Sequence, residues 1–555
     1  MRRKGLLILP LVALSSLCVF AQESPAAFSS VIERIGAREK ANMLFLRQHS
    51  PVTETYIQRL KPDADLGAVP TSDDYFLGRL DFSDGTPSGP SYMPQPSMGK
   101  KLLRKLTGIY KLNFLPRGFM QMMIVDSEGL DPSHYDFKFV RREFLGDVRC
   151  LVVDVAPKAK SGNGRFIGRI WVEDQDYNIV RFNGSYAPAP RGKVYLHFDS
   201  WRLNLQPGVW LPAYVYSEET DLAYATVRHV RFKSQTRLWG YQLKSAGRRE
   251  EFSSITVDPD EAVRDQSEAA RDLTPVESQR AWEHLAEDNV IDRLVKAGLL
   301  APEGEVDKVL QTVISNLEIT NKLDLNPEVR ARVMLTAPLE SFTVGRTIVL
   351  SRGMLDVLPD EASLAAVLAH ELAHVILGHP LDTKYAFSDR MIFPDEDSFM
   401  NLGFGHNARE ENEADTKALE LLKASPYGTP EKLKQVGLFL KAVDDRRQAL
   451  PKLLHAHLGN SFMEKDGMRL RELMPAGPEL LPRSVDQISA LPVGARIKLD
   501  PWSDKVELVK KPIVPLVSPK EKMPFEVTPL YPHIARFTTG NVDVQAPATA
   551  AVKPQ

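Results

Sequence analysis

The sequence predicts an α+β multidomain protein in which an antiparallel curved β-sheet, or half-barrel, is followed by a mainly helical domain. Three observations carry this reading. Between about Tyr75 and Phe252, short runs rich in aromatic and β-branched residues alternate with turn signals such as Leu145-Gly146-Asp147 and Gln206-Pro207-Gly208. From Pro259 onward the apolar residues recur at three- and four-residue spacings, the period of helices. The stretch Asp360 to Pro380 then carries His370-Glu371-x-x-His374 on a segment with both helix ends written into it. A chain of 555 residues is too long for a single core and should divide into several domains.

At the N-terminus, Arg2, Arg3 and Lys4 precede the apolar run Leu6 to Ala21, and Val19-Phe20-Ala21 offers the residues a signal peptidase reads. Residues 1–21 therefore read as a signal peptide, and the protein is expected to be exported, periplasmic or secreted. The run is too short for a membrane anchor and is broken by Pro10, Ser15 and Ser16. Cleavage after Ala21 removes Cys18 and leaves Cys150, so no internal disulfide is expected. No later stretch is long and apolar enough to predict a transmembrane helix in the mature chain. The net charge of -2 gives no electrostatic reason to expect nucleic acid as a partner.

Residues 22–70 read as a helical segment: Val31, Ile32, Ile35, Leu44 and Phe45 have helical spacing, Ser30-x-x-Glu33 matches a capping box, and Pro51 lies beyond the end. Residues 71–256 read as the β domain. Its strands are expected at Phe137 and Phe139, Val148 to Val155, Arg165 to Glu173, Tyr177 to Phe182, Val194 to Phe198, Val209 to Tyr216 and Thr226 to Phe232. This antiparallel pattern resembles the periplasmic lipoprotein carriers of the LolA and LolB type, whose curved sheet holds acyl chains. The resemblance implies lipid or lipoprotein contact through the β domain, whereas a scaffold with an ordinary filled core accounts for the same pattern. Residues 257–327, with periodic stretches Ala281 to Ala297 and Val306 to Leu317, read as a helical linker.

The segment 328–475 reads as the domain that carries the chemistry. Arg330 to Leu335 is expected as a strand, Phe342 to Arg346 as a turn and Thr347 to Leu350 as a second strand. An exposed strand here could hold an extended peptide by main-chain hydrogen bonds. Asp360 suits a helix N-cap, and Gly378 followed by Pro380 is a stop signal. On that helix His370 and His374 lie one turn apart on one face and can converge on a metal ion, with the Glu371 carboxylate beside it. After the irregular stretch Leu381 to His406 comes a second helix, with Asn407 as N-cap, Glu410 three residues on, and Ala418, Leu419, Leu421 and Leu422 as its apolar stripe. Glu411 and Asp415 share a face of it. A carboxylate from this helix would complete a two-His, one-Glu site with a fourth position open for water. By chemistry alone, Glu410 and Glu413 are rivals for that place.

The order Gly353-Met354-Leu355-Asp356, His370-Glu371-Leu-Ala-His374, Gly378-His379-Pro380, then Glu411-Asn-Glu-Ala414-Asp415 resembles zinc metallopeptidase family 48, with HtpX, BepA, Oma-type and CaaX-prenyl proteases, over about Val329 to Ala424. That resemblance implies a zincin-type domain binding one Zn2+ per chain through His370, His374 and Glu411, with Asp415 behind them orienting a ligand histidine. Glu371 would be the catalytic base that activates water against a peptide carbonyl. His457, in Leu454-His455-Ala-His457, is the candidate for an oxyanion donor or for an inhibitory fourth ligand that makes the site latent. Solvated or capping roles are expected for His379, His406 and His455. The reading is an exported zinc-dependent metalloendopeptidase with protein or peptide substrates, serving cell-envelope protein quality control. Its alternative is a periplasmic lipid- or lipoprotein-binding carrier or chaperone with a latent or non-catalytic zinc site. Residues 476–536 read as a C-terminal segment with a short strand pair around Ala495 to Val509, turning at Asp500 to Asp504, and 537–555 as a flexible tail.

Overall fold

The computed structural model describes residues 25–80, 116–241, 275–379, 404–487, 497–499, 505–508, 534 and 536, apart from residues 128, 190–193, 225–227, 326–327, 456–457, 462 and 465–466. The signal peptide, the stretch 380–403, His457, the turn at 500–504 and the tail lie outside the described residues.

Helix α1 (Pro25–Leu46) is followed by β1 (Val52–Asp63), β2 (Gly67–Arg79) and the short α2 (Pro116–Gln121), then by a run of seven strands. These are β3 (Tyr135–Leu145), β4 (Val148–Pro157), β5 (Arg165–Glu173), β6 (Ile179–Ala187), β7 (Phe198–Gln206), β8 (Val209–Tyr224) and β9 (Arg228–Trp239). The strands form one antiparallel sheet in the order β2-β1-β9-β8-β7-β6-β5-β4-β3, open between β2 and β3 rather than closed into a barrel. The helical reading of 22–70 holds only to Leu46, because 52–63 and 67–79 are strands. Thr53, Glu54, Thr55 and Gln58 of β1 are buried inside the sheet.

One face of the sheet packs on α1 and α2. Ile32, Ile35, Met43 and Leu46 of α1, with Phe119 and Met120 of α2 and the following Met123, meet Phe166, Phe182, Phe198 and Phe232 in one core. Arg202 of β7 makes a bidentate pair with Glu39 of α1 at 2.6 and 2.7 Å, both side chains almost fully buried. The other face carries Trp171, Trp201 and Trp210 around Cys150 and is covered by Ile534. There the Arg181 guanidinium lies over both the Trp171 and Trp201 rings, at 4.3 and 4.4 Å, and pairs with Asp199.

The second unit begins with α3 (Pro275–Lys296) and α4 (Glu305–Thr320), then β10 (Arg330–Met334), β11 (Glu340–Val344), β12 (Thr347–Ser351), α5 (Arg352–Val357) and α6 (Glu361–Leu377). After these come α7 (Ala408–Lys423), α8 (Pro430–Arg446), the single turn α9 (Pro451–Leu454), β13 (Asn460–Ser461), the small hairpin β14 (Met463–Glu464) and β15 (Gly467–Met468), and the pair β16 (Ile497–Leu499) and β17 (Val506–Leu508). The expectation of a linker over 257–327 is corrected by packing. Val306, Leu310, Val313, Ile314 and Leu317 of α4 are buried in the same core as α6, as are Ala286, Val290 and Leu294 of α3.

A small sheet in the order β10-β12-β11-β13 covers α6, with β10 and β12 parallel and β11 antiparallel to both its neighbours. Here Phe342 to Arg346 is not a turn. The strand β11 runs on to Val344 and only Gly345-Arg346 turns the chain. Its polar residues Ser341 and Thr343 face inward to bond Glu371, and their alternation with Phe342 and Val344 has the period of a strand, which the turn reading passed over. All five residues of β11 and all five of β12 are buried, so the second expected strand is not an exposed one.

The two units share contacts. Val52, Tyr56, Tyr75, Leu77 and Trp239 of the large sheet belong to the core of the second unit, and Trp239 Nε1 donates to Gly298 O at 2.7 Å. Glu54, buried in β1, accepts from Arg237, from Tyr75 Oη and from the backbone N–H of Ala337. Asp73 of β2 accepts the backbone N–H groups of Lys452 and Leu453 at 2.9 and 2.8 Å, capping α9 across the boundary.

Candidate metal centre

Both helix ends around the centre match the sequence. Asp360 Oδ1 accepts the Ser363 N–H at 2.8 Å, and Gly378 closes α6 in the left-handed conformation at φ 66°, where a Cβ would be strained. Every residue from Ala362 to His374 is buried, which requires a helix apolar all round except at its functional groups. Asn407 caps α7 through Arg409 N and Glu410 N, and Glu410 returns to the Asn407 N–H, completing a capping box. The buried face of α7 holds Glu411, Ala414, Ala418, Leu421 and Leu422 and lies against α6.

This packing brings three donor atoms together. His370 Nε2 lies 3.2 Å from His374 Nε2 and 3.2 Å from Glu411 Oε2, and His374 Nε2 is 3.8 Å from Glu411 Oε1. Tetrahedral zinc with ligand bonds of about 2.0–2.1 Å places neighbouring donors about 3.3 Å apart. Glu411 Oε1 is buried with no hydrogen-bond partner, a costly state that a cation between the three groups relieves. The donor set fits zinc.

The outer nitrogens of the imidazoles are occupied, which turns both Nε2 atoms inward. His370 Nδ1 donates to Asp415 Oδ1 at 2.8 Å, and the other Asp415 oxygen accepts the Leu470 N–H at 2.9 Å. His374 Nδ1 lies 2.8 Å from His379 Nδ1, and His379 Nε2 is 3.5 Å from Glu413. His406 stacks on His374 with centroids 4.0 Å apart and bonds Glu410 at 3.2 Å. His379 and His406 therefore back the site instead of facing solvent. His374, His379 and His406 also form a cluster with metal-ligating atoms close together, but the shared Nδ1 contact makes it an extension of the first site. Glu410 is used in its cap and on His406, and Glu413 pairs with Arg409 and His379 on the surface, so neither is placed with the His370 and His374 Nε2 atoms.

Electrostatics push the same way. Burial, with His370 and His406 nearby, drives His374 down to about 2, keeping it neutral. Burial and Arg469 oppose a proton on His370, but its bonds to Asp415 and Glu411 prevail and raise it to about 9. Burial resists charge on Glu411, yet Arg469 and His370 hold it well below the usual carboxylate range. The pocket favours positive charge between these groups.

Glu371 is fully buried beside the centre. Its Oε1 accepts from Ser341 Oγ at 2.7 Å and from Arg469 Nη1 at 3.2 Å, and its Oε2 accepts from Thr343 Oγ1 at 2.8 Å. Arg469, which the sequence reading did not single out, also places Nε 3.2 Å from Glu411. No local signal marks it: the arginine sits just past β15 and reaches the site only because Leu470 turns in the left-handed region at φ 55° and is held by Asp415. His457 lies outside the described residues.

Residues 301–393 match peptidase family M48. The matching segment runs from the approach to α4 through β10, β11, β12 and α6, and it ends before α7, so Glu411 and Asp415 join the M48 region through tertiary geometry. No curated protein matches the chain. Among solved structures, a LolA superfamily protein from Nitrosomonas europaea is 12% identical, with 39% of this chain and 93% of that chain covered and a TM-score of 0.21. A DUF1329 family protein from Desulfovibrio piger is 10% identical, with coverages of 40% and 97% and a TM-score of 0.23. The M48 resemblance read from the sequence thus reappears in the helical unit. Among the described residues no helix is long and apolar enough to cross a membrane.

Proposed function

We propose that the protein is an exported zinc-dependent metalloendopeptidase acting on protein or peptide substrates in the cell envelope. The observation that carries this is the convergence of His370, His374 and Glu411 beside the buried carboxylate of Glu371 within and next to the M48 region, a match that supports a metallopeptidase. His370, His374 and Glu411 would hold the ion, and zinc bound there supplies a Lewis acid and a water made acidic enough to deprotonate near neutral pH. Asp415 keeps the His370 Nε2 lone pair aimed inward through its bond to Nδ1. Glu371 takes the water's proton on a carboxylate oxygen and passes it to the leaving nitrogen. Ser341 and Thr343 orient that carboxylate. The buried Arg469 Nη2, with no hydrogen-bond partner, is a donor for the oxyanion role first given to His457.

The carrier alternative is less well supported. The face of the open sheet that would take acyl chains is filled, among the described residues, by side chains of α1 and α2. The test compares wild type with Glu371→Gln for zinc content and for cleavage of unfolded casein. Equal zinc with cleavage lost in the variant is expected; equal cleavage by both overturns the reading.

A further inference from the structure

We infer that the cleft between β10, the N-terminal end of α4 and β17 is a docking site for an extended polypeptide segment rich in lysine or arginine, separate from the metal centre. β10 is the outer strand of the small sheet, with β12 on its inner side. The Arg330 N–H donates to Arg346 O toward β12, so by strand alternation Ala331 turns its main-chain N–H and C=O the other way. That outer side is covered in part. Leu299 to Ala301 run along its C-terminal half, where the Ala301 N–H donates to Val333 O and the Leu335 N–H to Leu299 O, both at 2.9 Å. At Val329 and Ala331 no strand among the described residues pairs with the outer side of β10.

The uncovered half opens on a cleft of about 900 Å³, within the range of about 300–1,000 Å³ that ligand sites occupy. Its far wall is β17, seated by the buried Val506 in the same core as α4. Gly304, the N-cap of α4, lies so near that a Cβ on it would come 3.2 Å from the Val506 carbonyl oxygen. A cleft bounded by two short strands, one with free main-chain groups at Ala331, suits an extended chain that adds to the sheet.

Charge selects the occupant. Five carboxylates and three cations line the cleft, and one of those cations, Arg330, is drawn to Asp288 at 2.6 Å, outside the lining. Asp307 gives Oδ2 to its cap, accepting the Gly304 N–H at 2.7 Å, while its Oδ1 is buried with no hydrogen-bond partner. An ammonium or guanidinium brought to Oδ1 supplies both the missing bond and the opposite charge. Glu305 and Glu328, exposed in the lining, attract the same cations. An acidic strand would satisfy Ala331 but face these acids, and a metal ion would satisfy the acids but leave the strand edge bare. β10 and β11 flank β12, about 10 Å apart at the usual strand spacing, and β11 carries the Ser341 and Thr343 partners of Glu371. A chain docked on β10 is held on the same sheet without occupying the metal centre.

The experiment uses the zinc-loaded full chain carrying Glu371→Gln, so that no probe is cleaved. The probes are short fluorescein-labelled peptides of alternating lysine and threonine, the same peptides with glutamate for lysine, and the lysine peptides N-methylated at every second residue. Fluorescence anisotropy is expected to show binding of the lysine peptide that added salt weakens, and none of the glutamate peptide. N-methylation, which removes main-chain donors, is expected to weaken binding by about two- to tenfold per bond lost. Glu305→Lys together with Glu328→Lys is expected to cut lysine-peptide binding by about tenfold or more, while the matched reversal of Glu472 and Glu479, exposed elsewhere, leaves it unchanged. Bound peptide is expected to slow hydrogen exchange at 329–333 and not at 340–344. A lysine peptide that fails to bind, binds equally when N-methylated, protects 340–344 instead, or ignores the Glu305 and Glu328 reversals overturns the inference. So does a dimer in sedimentation that those reversals split, which makes the occupant a second copy. The N-methylated probe acts on unaltered cleft residues, so its result stands even where the double reversal does not fold. None of these readouts depends on cleavage, and the peptidase reading is decided separately.

Discussion

The guanidinium of Arg469 lies 3.2 Å from the carboxylate of Glu371, with both side chains almost fully buried. It reaches Glu411 at the same distance, so one arginine balances the charge of two buried acids. Removing it leaves uncompensated negative charge in a low dielectric, which typically costs about 3–5 kcal/mol. Arg469→Met is expected to lower unfolding stability by that order in urea titrations and to abolish casein cleavage. Arg469→Lys retains the charge but not the fork geometry, and is expected to recover stability more than activity.

Glu411 and Glu413 are two residues apart on α7 but face opposite ways, one buried against the imidazoles and the other in a surface pair with Arg409. Glu411→Gln is expected to weaken zinc retention by more than the roughly 10–100-fold that loss of an outer hydrogen bond costs, Asp415→Asn by about that amount, and Glu413→Gln very little. Zinc competition against a chromogenic chelator measures all three. A Glu413 effect larger than that of Glu411 moves the third ligand.

Asp73 couples the units in a pH-dependent way. Burial raises its carboxyl from an ordinary 3.8 to about 6, the N–H bonds from Lys452 and Leu453 offsetting only part of the effect. Between those values the folded protein binds the proton that the unfolded chain has lost, so this group's contribution to stability declines as pH rises from about 4 to 6. At about 1.4 kcal/mol per unit the decline is of order 3 kcal/mol. Asp73→Asn is expected to flatten the stability profile in that window, read from urea midpoints at pH 4 and pH 6.5. A profile as steep as wild type removes Asp73 as its source.

The sequence alone determined the two helices of the metal centre, because their caps, stop signal and apolar stripes are local features: Asp360, Gly378, Asn407 and Glu410 act where they were read. It also determined the antiparallel character of the sheet, since alternation and turn residues are short-range signals. By chemistry alone Glu410, Glu411 and Glu413 were equivalent and only the family resemblance pointed to Glu411; the packing of α7 on α6 is what brings that acid to the histidines. Tertiary structure alone decided that Ser341 and Thr343 bond Glu371, that His379 and His406 back His374, and that Arg469 enters the site from about a hundred residues away. Each depends on a buried polar partner supplied from elsewhere in the chain, and a polar residue looks solvent-exposed in sequence until the group it bonds is in place.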